Sequence, residues 1–211
     1  MVTAIDVTSD GGVLTGSSLG TISFMDLSSD SKTFQKFQST INNAAVHLLC
    51  MLGDRTGFGS IDIDNNVEIR SCQNKEIVER CQPEQKINCV TSIDKKSLLF
   101  GCNNGELLLL SLLEDGSNYE LHRHKAYSEA VTQVKRREET SRFFVSGSAR
   151  GLVNLWYVPN KNVWTRLWSH NIGSSRPITA ITFVPNAEDI LIGSSGSEVT
   201  LSALYNSLIG R

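Results

Sequence analysis

One motif recurs five times along this chain at nearly constant spacing. The copies align on a turn residue between two β-rich runs. These turn residues are Gly20, Asn65, Gly105, Gly151 and Ser197, and they are separated by 45, 40, 46 and 46 residues. Glycine stands four positions before the turn residue in four of the five copies, and apolar residues stand two and four positions after it in all five. A period of this length predicts one small sheet per copy, with each sheet burying its faces against its neighbours.

The clearest copy spans residues 131–157. An apolar pair, Val131 and Val134, opens its first strand, a β-rich run follows from Phe143 to Ser148, and an alternating run follows the turn at Gly151. Apolar side chains at every second position indicate short strands with one buried face. Similar pairs open the other copies 18 to 20 residues before the turn residue: Val2 and Ile5, Val46 and Leu49, Ile87 and Val90, Ile178 and Ile181.

A leucine-rich run, Leu107 to Leu113, is open to two interpretations. Its seven residues could form a helix or a strand. Turn signals lie on both sides, at Asn103-Asn104-Gly105 and Glu114-Asp115-Gly116. The short length and these flanks favour a strand that is buried on both faces.

In the Gly-x-x-x-Gly-x-apolar-x-apolar core of each unit, with Trp156 at the tryptophan position of the fourth, the chain resembles the WD40-repeat family. The namesake dipeptide is complete in no unit; the fourth reads Trp156-Tyr157. The resemblance implies an all-β, WD40-like β-propeller in one domain, with five recognisable blades at about 2–37, 46–81, 87–121, 131–168 and 178–205. Seven blades are usual in the family, so we expect an incomplete ring whose other two blades lie outside this sequence or come from a partner chain. A self-sufficient ring of five blades is the alternative.

The second unit departs most from the pattern. Ile61 replaces the glycine and Asn65 the turn glycine, while Arg70 stands at the tryptophan position. WD40 units often join an aspartate to a histidine, a serine or threonine, and the tryptophan through hydrogen bonds. Asp64 occupies that aspartate position, but Asn42 stands where the histidine would be. We therefore expect no such tetrad here.

Composition excludes several classes of function. A net charge of −2 and a pI near 6.1 provide no field that would attract nucleic acid or an anionic membrane. The five cysteines are odd in number and contain no Cys-x-x-Cys pair, which favours reduced thiols in a cytoplasmic or nuclear protein. No signal peptide is recognisable at Met1–Asp6, and the longest apolar run is too short for membrane insertion.

Three motifs could carry chemistry, and each has a simpler explanation. His122-Arg123-His124 could hold a metal, but no third ligand is close in sequence. In addition, His124 and His170 precede the fourth and fifth units, roughly where the family carries structural histidines. Lys135-Arg136-Arg137 could contact phosphate, but Glu138-Glu139 follows and nearly cancels its charge. No Ser, His and Asp combination stands out. We therefore expect no metal, no cofactor and no catalytic residue.

Four aromatic residues on predicted strands, Trp156, Tyr157, Trp164 and Trp168, could anchor a partner or pack between sheets. Their repeat register favours packing.

The resemblance implies that loops between units, together with the turns between second and third strands, form the face that binds partners. On that face we name seven candidate protein-binding residues: Arg123, His124, Lys125, Tyr127, Arg150, His170 and Arg176. The implied function is a non-enzymatic scaffold or adaptor that binds other proteins in a stable multi-subunit assembly. The alternatives are a peptide-recognition propeller, such as a ubiquitin-ligase substrate receptor or a reader of modified tails, and an enzyme with a propeller body.

Overall fold

Every regular element that the structure describes is a β-strand, and neighbouring strands pair antiparallel. The structure is a computed structural model that describes residues 1–8, 11–26, 33–38, 43–54, 56–74, 76–112, 118–137, 142–172, 175–185, 189–196 and 199–203. The predicted all-β class is confirmed for this part of the chain. It forms two compact units, Met1–Glu84 and Gln85–Arg211.

The first unit contains two four-stranded sheets. Sheet 1 consists of β1 (Val2–Val7), β2 (Gly12–Ser17), β3 (Thr21–Asp26) and β4 (Thr33–Gln38). Sheet 2 consists of β5 (Val46–Met51), β6 (Gly57–Asp62), β7 (Val67–Ser71) and β8 (Ile77–Cys81). In each sheet the strands follow one another in chain order, as successive hairpins do.

The second unit contains two four-stranded sheets and one sheet with three described strands. Sheet 3 consists of β9 (Ile87–Ser92), β10 (Ser97–Cys102), β11 (Glu106–Leu112) and β12 (Tyr119–Lys125). Sheet 4 consists of β13 (Val131–Arg136), β14 (Phe143–Ser148), β15 (Leu152–Asn160) and β16 (Val163–Asn171). Sheet 5 consists of β17 (Ile178–Phe183), β18 (Asp189–Ser194) and β19 (Val199–Ala203).

The repeat pattern corresponds to one strand register that recurs in all five sheets. The residue four positions before each turn pairs with the apolar residue two positions after it. The pairs are Gly16 with Ile22, Ile61 with Val67, Gly101 with Leu107, Gly147 with Val153, and Gly193 with Val199. The columns aligned by sequence are therefore also structural columns.

The positive φ angle at the turn restricts which residue types can occupy it. Gly20, Asn65, Gly105 and Gly151 have φ values of 71°, 68°, 84° and 79°. This left-handed region favours glycine and tolerates asparagine better than most other residues, which explains why Asn65 can replace glycine in the second repeat, sheet 2. The fifth turn residue, Ser197, lies outside the described residues.

The first strand of every sheet contains a bulge at its second residue. The bulged residues are Thr3, His47, Asn88, Thr132 and Thr179. Three of their side chains donate a hydrogen bond to the next sheet. Thr3 Oγ1 reaches the carbonyl of Val46 at 2.6 Å, Asn88 Nδ2 that of Val131 at 3.0 Å, and Thr132 Oγ1 that of Ile178 at 2.7 Å. The bulge thus directs a polar side chain out of the hydrogen-bond ladder of its own strand and toward the next sheet.

A glycine lies opposite each residue that accepts these bonds. A Cβ added at Gly16 would lie 2.5 Å from the side chain of Val46. A Cβ added at Gly101 would lie 2.6 Å from that of Val131, and one added at Gly147 would lie 2.7 Å from that of Ile178. Such distances are far below van der Waals contact, so only glycine leaves room for the incoming apolar side chain. Sheets 1 and 2, 3 and 4, and 4 and 5 are joined by this junction.

The leucine run is a strand, as predicted. β11 ends at Leu112, Leu107 to Leu110 are at most 3% exposed, and Leu113 lies outside the described residues. Alternate leucines point to opposite faces, so both faces of this strand are buried.

The departure of the second repeat, sheet 2, from the sequence pattern corresponds to a buried ion pair. Arg70, at the tryptophan position, is 5% exposed and donates to Glu68 from both Nε and Nη2, at 3.1 and 2.7 Å. Arg80 donates to the other oxygen of Glu68 at 3.1 Å. Residues i and i+2 share a strand face, which places the carboxylate beside the guanidinium.

The five cysteines are free thiols in the structure. Burial raises the pKa of Cys72 and Cys81 to about 11 and that of Cys102 to about 12, so these groups stay protonated near neutral pH. Within the described residues no helix has the length and apolarity to cross a membrane.

We predict that alanine has opposite consequences at two equivalent glycines. Gly147→Ala would push a methyl group into Ile178 and lower the free energy of unfolding by about 1–3 kcal/mol. At Gly193 the nearest atom to an added Cβ is 3.6 Å away, so Gly193→Ala should change the free energy of unfolding by less than about 0.5 kcal/mol. Urea unfolding of the two variants measures the difference. Equal losses of unfolding free energy would show that crowding by the next sheet does not determine the need for glycine at Gly147.

We predict that Glu68→Ala lowers the free energy of unfolding by about 3–5 kcal/mol, because it leaves the Arg70 cation buried without its partner. The double variant Glu68→Ala/Arg70→Met should recover most of this loss, since neither charge is then buried. Glu76→Ala, at an exposed position, is the control. Denaturant unfolding distinguishes the outcomes, and no recovery in the double variant would show that the ion pair is not the cause.

Candidate interaction surface

The turns and the segments that connect successive sheets lie at one edge of each sheet. Ala126 and Tyr127 both donate from their backbone amides to the carbonyl of Gly105, at 3.1 and 3.0 Å, and Ile172 donates to Gly151 at 3.1 Å. In the first unit Asn65 Nδ2 donates to the carbonyl of Pro83 at 2.7 Å. Hydrogen bonds thus join the two kinds of loop that the resemblance implies for the binding face; the bonds are between backbone groups in sheets 3 and 4 and from the Asn65 side chain in sheet 2.

Four predicted site residues are exposed cations at this edge in the second unit. Arg123 and Lys125 are near the end of β12, Arg150 is in the turn before β15, and Arg176 precedes β17. The Lys125 ammonium donates to the carbonyl of Asn104. We call these four residues, Arg123, Lys125, Arg150 and Arg176, the cationic edge.

Two acidic residues accompany the cationic edge: Glu129 in the connecting segment, and Glu106, which follows the Gly105 turn and pairs with Lys125 in the β11–β12 ladder. Burial opposes ionisation of Glu129, but hydrogen bonds from Ser128 and Ser148 and the charge of Arg150 outweigh it, so the pKa of Glu129 falls below its ordinary value. Ser128 Oγ lies 2.6 Å from its carboxylate. Four cations face these two carboxylates, which leaves an excess of positive charge at the edge among the described residues.

Tyr127 is a core residue of this edge rather than a surface residue. It is 5% exposed, and its hydroxyl lies 2.6 Å from Ser146 Oγ and 2.9 Å from the Ser146 carbonyl. Trp156 Nε1 donates to the same Oγ at 2.8 Å. Burial raises the pKa of Tyr127, so the hydroxyl keeps its proton. The network anchors the connecting segment to sheet 4 and leaves a partner little of Tyr127 to contact.

His124 is packed between two tryptophans. Its ring stacks on Trp164 with centroids 5.0 Å apart and planes 1° from parallel, and it meets Trp156 edge-on at 5.1 Å. Burial lowers the pKa of His124. His170 stacks on Trp168 at 5.4 Å and is partly exposed at the end of β16. His124, which was predicted to be structural, therefore packs against the tryptophans. The hydrogen bond to Ser146, which also accepts from Trp156, is made by Tyr127 instead.

The tryptophans pack between sheets, as their register predicted. Trp156 is 3% exposed in the core between sheets 3 and 4, and Trp164 packs against the same core. Trp168 packs against the core between sheets 4 and 5. Tyr157 stacks on Phe143 at 4.7 Å.

The motifs with possible chemistry do not converge on a site in the described part of the chain. There, no three His, Cys, Asp or Glu side chains are grouped as metal ligands. Lys135 and Arg136 end β13 and Arg137 follows, while Glu138 and Glu139 lie outside the described residues.

A polar cleft of about 620 Å³ opens at the opposite edge, between sheets 3 and 4. Two buried serines on paired strands, Ser97 and Ser111, line it, and the tip of the β15–β16 hairpin forms one wall. Asp94 is the acidic residue in its described lining, 3.9 Å from Arg142. The cleft therefore has mixed charge, unlike the cationic edge.

Comparison with known proteins gives a partial similarity to a curated protein. A 64-residue segment is 36% identical to WD repeat-containing protein 44 of Xenopus laevis. The segment is 30% of this chain and 7% of that relative, so the chain spans a small part of the relative's length. No protein-family model matches. The similarity agrees with the resemblance that the repeat pattern indicates.

We predict that His124 makes stability depend on pH. Because its pKa is lower in the folded than in the unfolded chain, the unfolded chain binds more protons below about pH 6.5. The stabilisation is therefore complete above that pH and declines as the pH falls toward the folded pKa. His124→Gln should remove this component, whereas His47→Gln, at an exposed position, should retain it. Urea unfolding from pH 8 to 5 tests this, and identical pH profiles for the wild type and His124→Gln would contradict it.

Proposed function

We propose that the chain is a non-enzymatic interaction module of the WD40 type, in which the five sheets are blades of a β-propeller. The support is the strand register that the five sheets share and the junction that recurs at three pairs of sheets, together with the partial similarity to a WD repeat protein. In the proposed arrangement the blades belong to a seven-bladed ring whose other blades lie beyond these units or come from another chain. The module displays the connecting segments and turns as a binding face.

The cationic edge carries the functional part of the proposal. Four exposed cations lie at the edge where turns and connecting segments meet, although the chain as a whole has a net charge of −2. Such a local excess of positive charge favours an acidic protein segment and directs its approach. The module accordingly acts as a scaffold that holds protein partners in a stable assembly in the cytoplasm or nucleus.

The same edge supports a second candidate function. Exposed arginines bind carboxylates and phosphates through paired hydrogen bonds. A recognition propeller, such as a ubiquitin-ligase substrate receptor or a reader of modified tails, would use Arg150 and Arg176 in this way. The scaffold and the receptor differ in duration of binding: a scaffold retains its partner through purification, whereas a receptor exchanges short peptides.

We predict that Arg150→Glu/Arg176→Glu weakens partner binding by about tenfold or more, because like charges then oppose an acidic partner. The tagged chain is purified from the cells that express it, and co-purifying proteins are quantified by mass spectrometry. Lys95→Glu/Lys96→Glu reverses two exposed charges in the β9–β10 turn, at the opposite edge of sheet 3, and should leave binding unchanged.

A chain that purifies alone under gentle lysis would contradict the scaffold function. A co-purifying set that both double variants retain would show that the cationic edge is not the binding face.

A further inference from the structure

A pair of serines in sheet 3 stands where sheet 4 has a pair of aromatic residues. Ser97 pairs with Ser111 in the same register in which Phe143 pairs with Tyr157. In sheet 4 the two rings stack with centroids 4.7 Å apart. The smaller serines line the polar cleft of about 620 Å³ between sheets 3 and 4. The repeat does not require this exchange, because the other sheets bury the same strands without it.

The opposite wall of the cleft is an extension of the β15–β16 hairpin. Its two strands have nine described residues each, whereas the third and fourth strands of sheets 1 to 3 have five to seven. Residues 159–163 at its tip line the cleft. The tip is held in place because Lys161 Nζ donates to Glu120 of sheet 3 at 2.6 Å, and Trp164 Nε1 donates to the Lys161 carbonyl at 3.1 Å. The cleft is therefore a feature of sheets 3 and 4 alone and not a general product of the repeat.

The two serine hydroxyls are buried polar groups at this site. Ser97 is 4% exposed and Ser111 is 8% exposed, and neither hydroxyl makes a hydrogen bond to another described residue. A hydroxyl both donates and accepts hydrogen bonds, and burying one without a partner is unfavourable. These two groups therefore favour a ligand that supplies donors and acceptors together.

The charged groups of the described lining are already paired. Arg142 lies 3.9 Å from Asp94, and Lys161 lies 2.6 Å from Glu120. The two cations and two carboxylates cancel, so an ionic ligand would compete with a partner that each charge already has. An uncharged ligand avoids this competition.

We propose that the cleft binds a small uncharged molecule with several hydroxyl groups, such as a sugar or another polyol. Its hydroxyls exchange hydrogen bonds with Ser97 and Ser111, and its C–H groups pack on Pro159 and Val163. The volume of the cleft is within the range of small-molecule sites. The site lies at the edge opposite the cationic edge, so it goes beyond the proposed function and is tested independently of it.

The test measures the binding of three uncharged probes, glucose, myo-inositol and glycerol, to the ¹⁵N-labelled chain. NMR should show saturable shifts at the amides of Ser97, Ser111 and residues 160–163, with a dissociation constant of about 10 mM or lower for at least one probe. Raising sodium chloride from about 50 to about 500 mM should change this constant less than about twofold, because no ion pair forms. Inorganic phosphate, a charged probe, should not shift these amides.

The double variant Ser97→Ala/Ser111→Ala removes both hydroxyls and should raise the dissociation constant at least about tenfold. Its urea midpoint should stay equal to that of the wild type or rise, because the fold loses no hydrogen bond. A lower midpoint would assign the hydroxyls a structural role instead. Ser97→Phe/Ser111→Tyr, which transfers the aromatic pair of sheet 4, should also abolish binding by filling the space. Ser169→Ala, at an exposed position on β16, is the control and should bind like the wild type.

Two segments that adjoin the lining in sequence, 113–117 and 138–141, are outside the described residues. The second contains Glu138 and Glu139, so Glu138→Gln/Glu139→Gln tests whether charge there contributes. Affinity for an uncharged probe should not change. The proposal is overturned if no probe gives saturable shifts at about 100 mM. It is also overturned if the alanine double variant binds like the wild type, or if phosphate binds in preference to the uncharged probes.

Discussion

The structure depends on a junction in which one residue of the incoming sheet makes two contacts. The side chain of Val46 fills the space over Gly16, and its carbonyl accepts from Thr3. Because both contacts involve the same residue, they fix how far one sheet is displaced along the next. Ile178 repeats the arrangement with Gly147 and Thr132. A hydrophobic contact alone would be compatible with several displacements, whereas the added directional bond selects one.

The sequence predicted the elements that every repeat must satisfy for a steric reason. A left-handed turn requires glycine or a residue like Asn65, and a crowded junction requires glycine opposite an apolar residue, so these columns are recognisable without coordinates. The bulge was not predicted. Its column contains threonine, histidine and asparagine, residues that share polarity but no periodic pattern, and a bulge inserts a residue that alternation alone cannot reveal.

The candidate site was partly predictable in the same sense. Chain order alone places Arg150 in a turn and Arg176 in a connecting segment, and such segments are exposed. The inward orientation of Tyr127 was not predictable, because its partner Ser146 is 19 residues away on another sheet. Arg70 did leave a signal. Glu68 stands two positions earlier on the same strand face, and a carboxylate there is the partner that a buried guanidinium needs.

The left-handed turns separate the demands of architecture from those of recognition. Their shape is fixed by the backbone of Gly105 and Gly151, while a neighbour such as Arg150 is exposed and contributes little to the core. Substitutions can therefore change the chemistry of the cationic edge one position at a time without disturbing the strands beneath it. A chain with this construction can change the charge that it presents at this edge while its architecture stays almost constant.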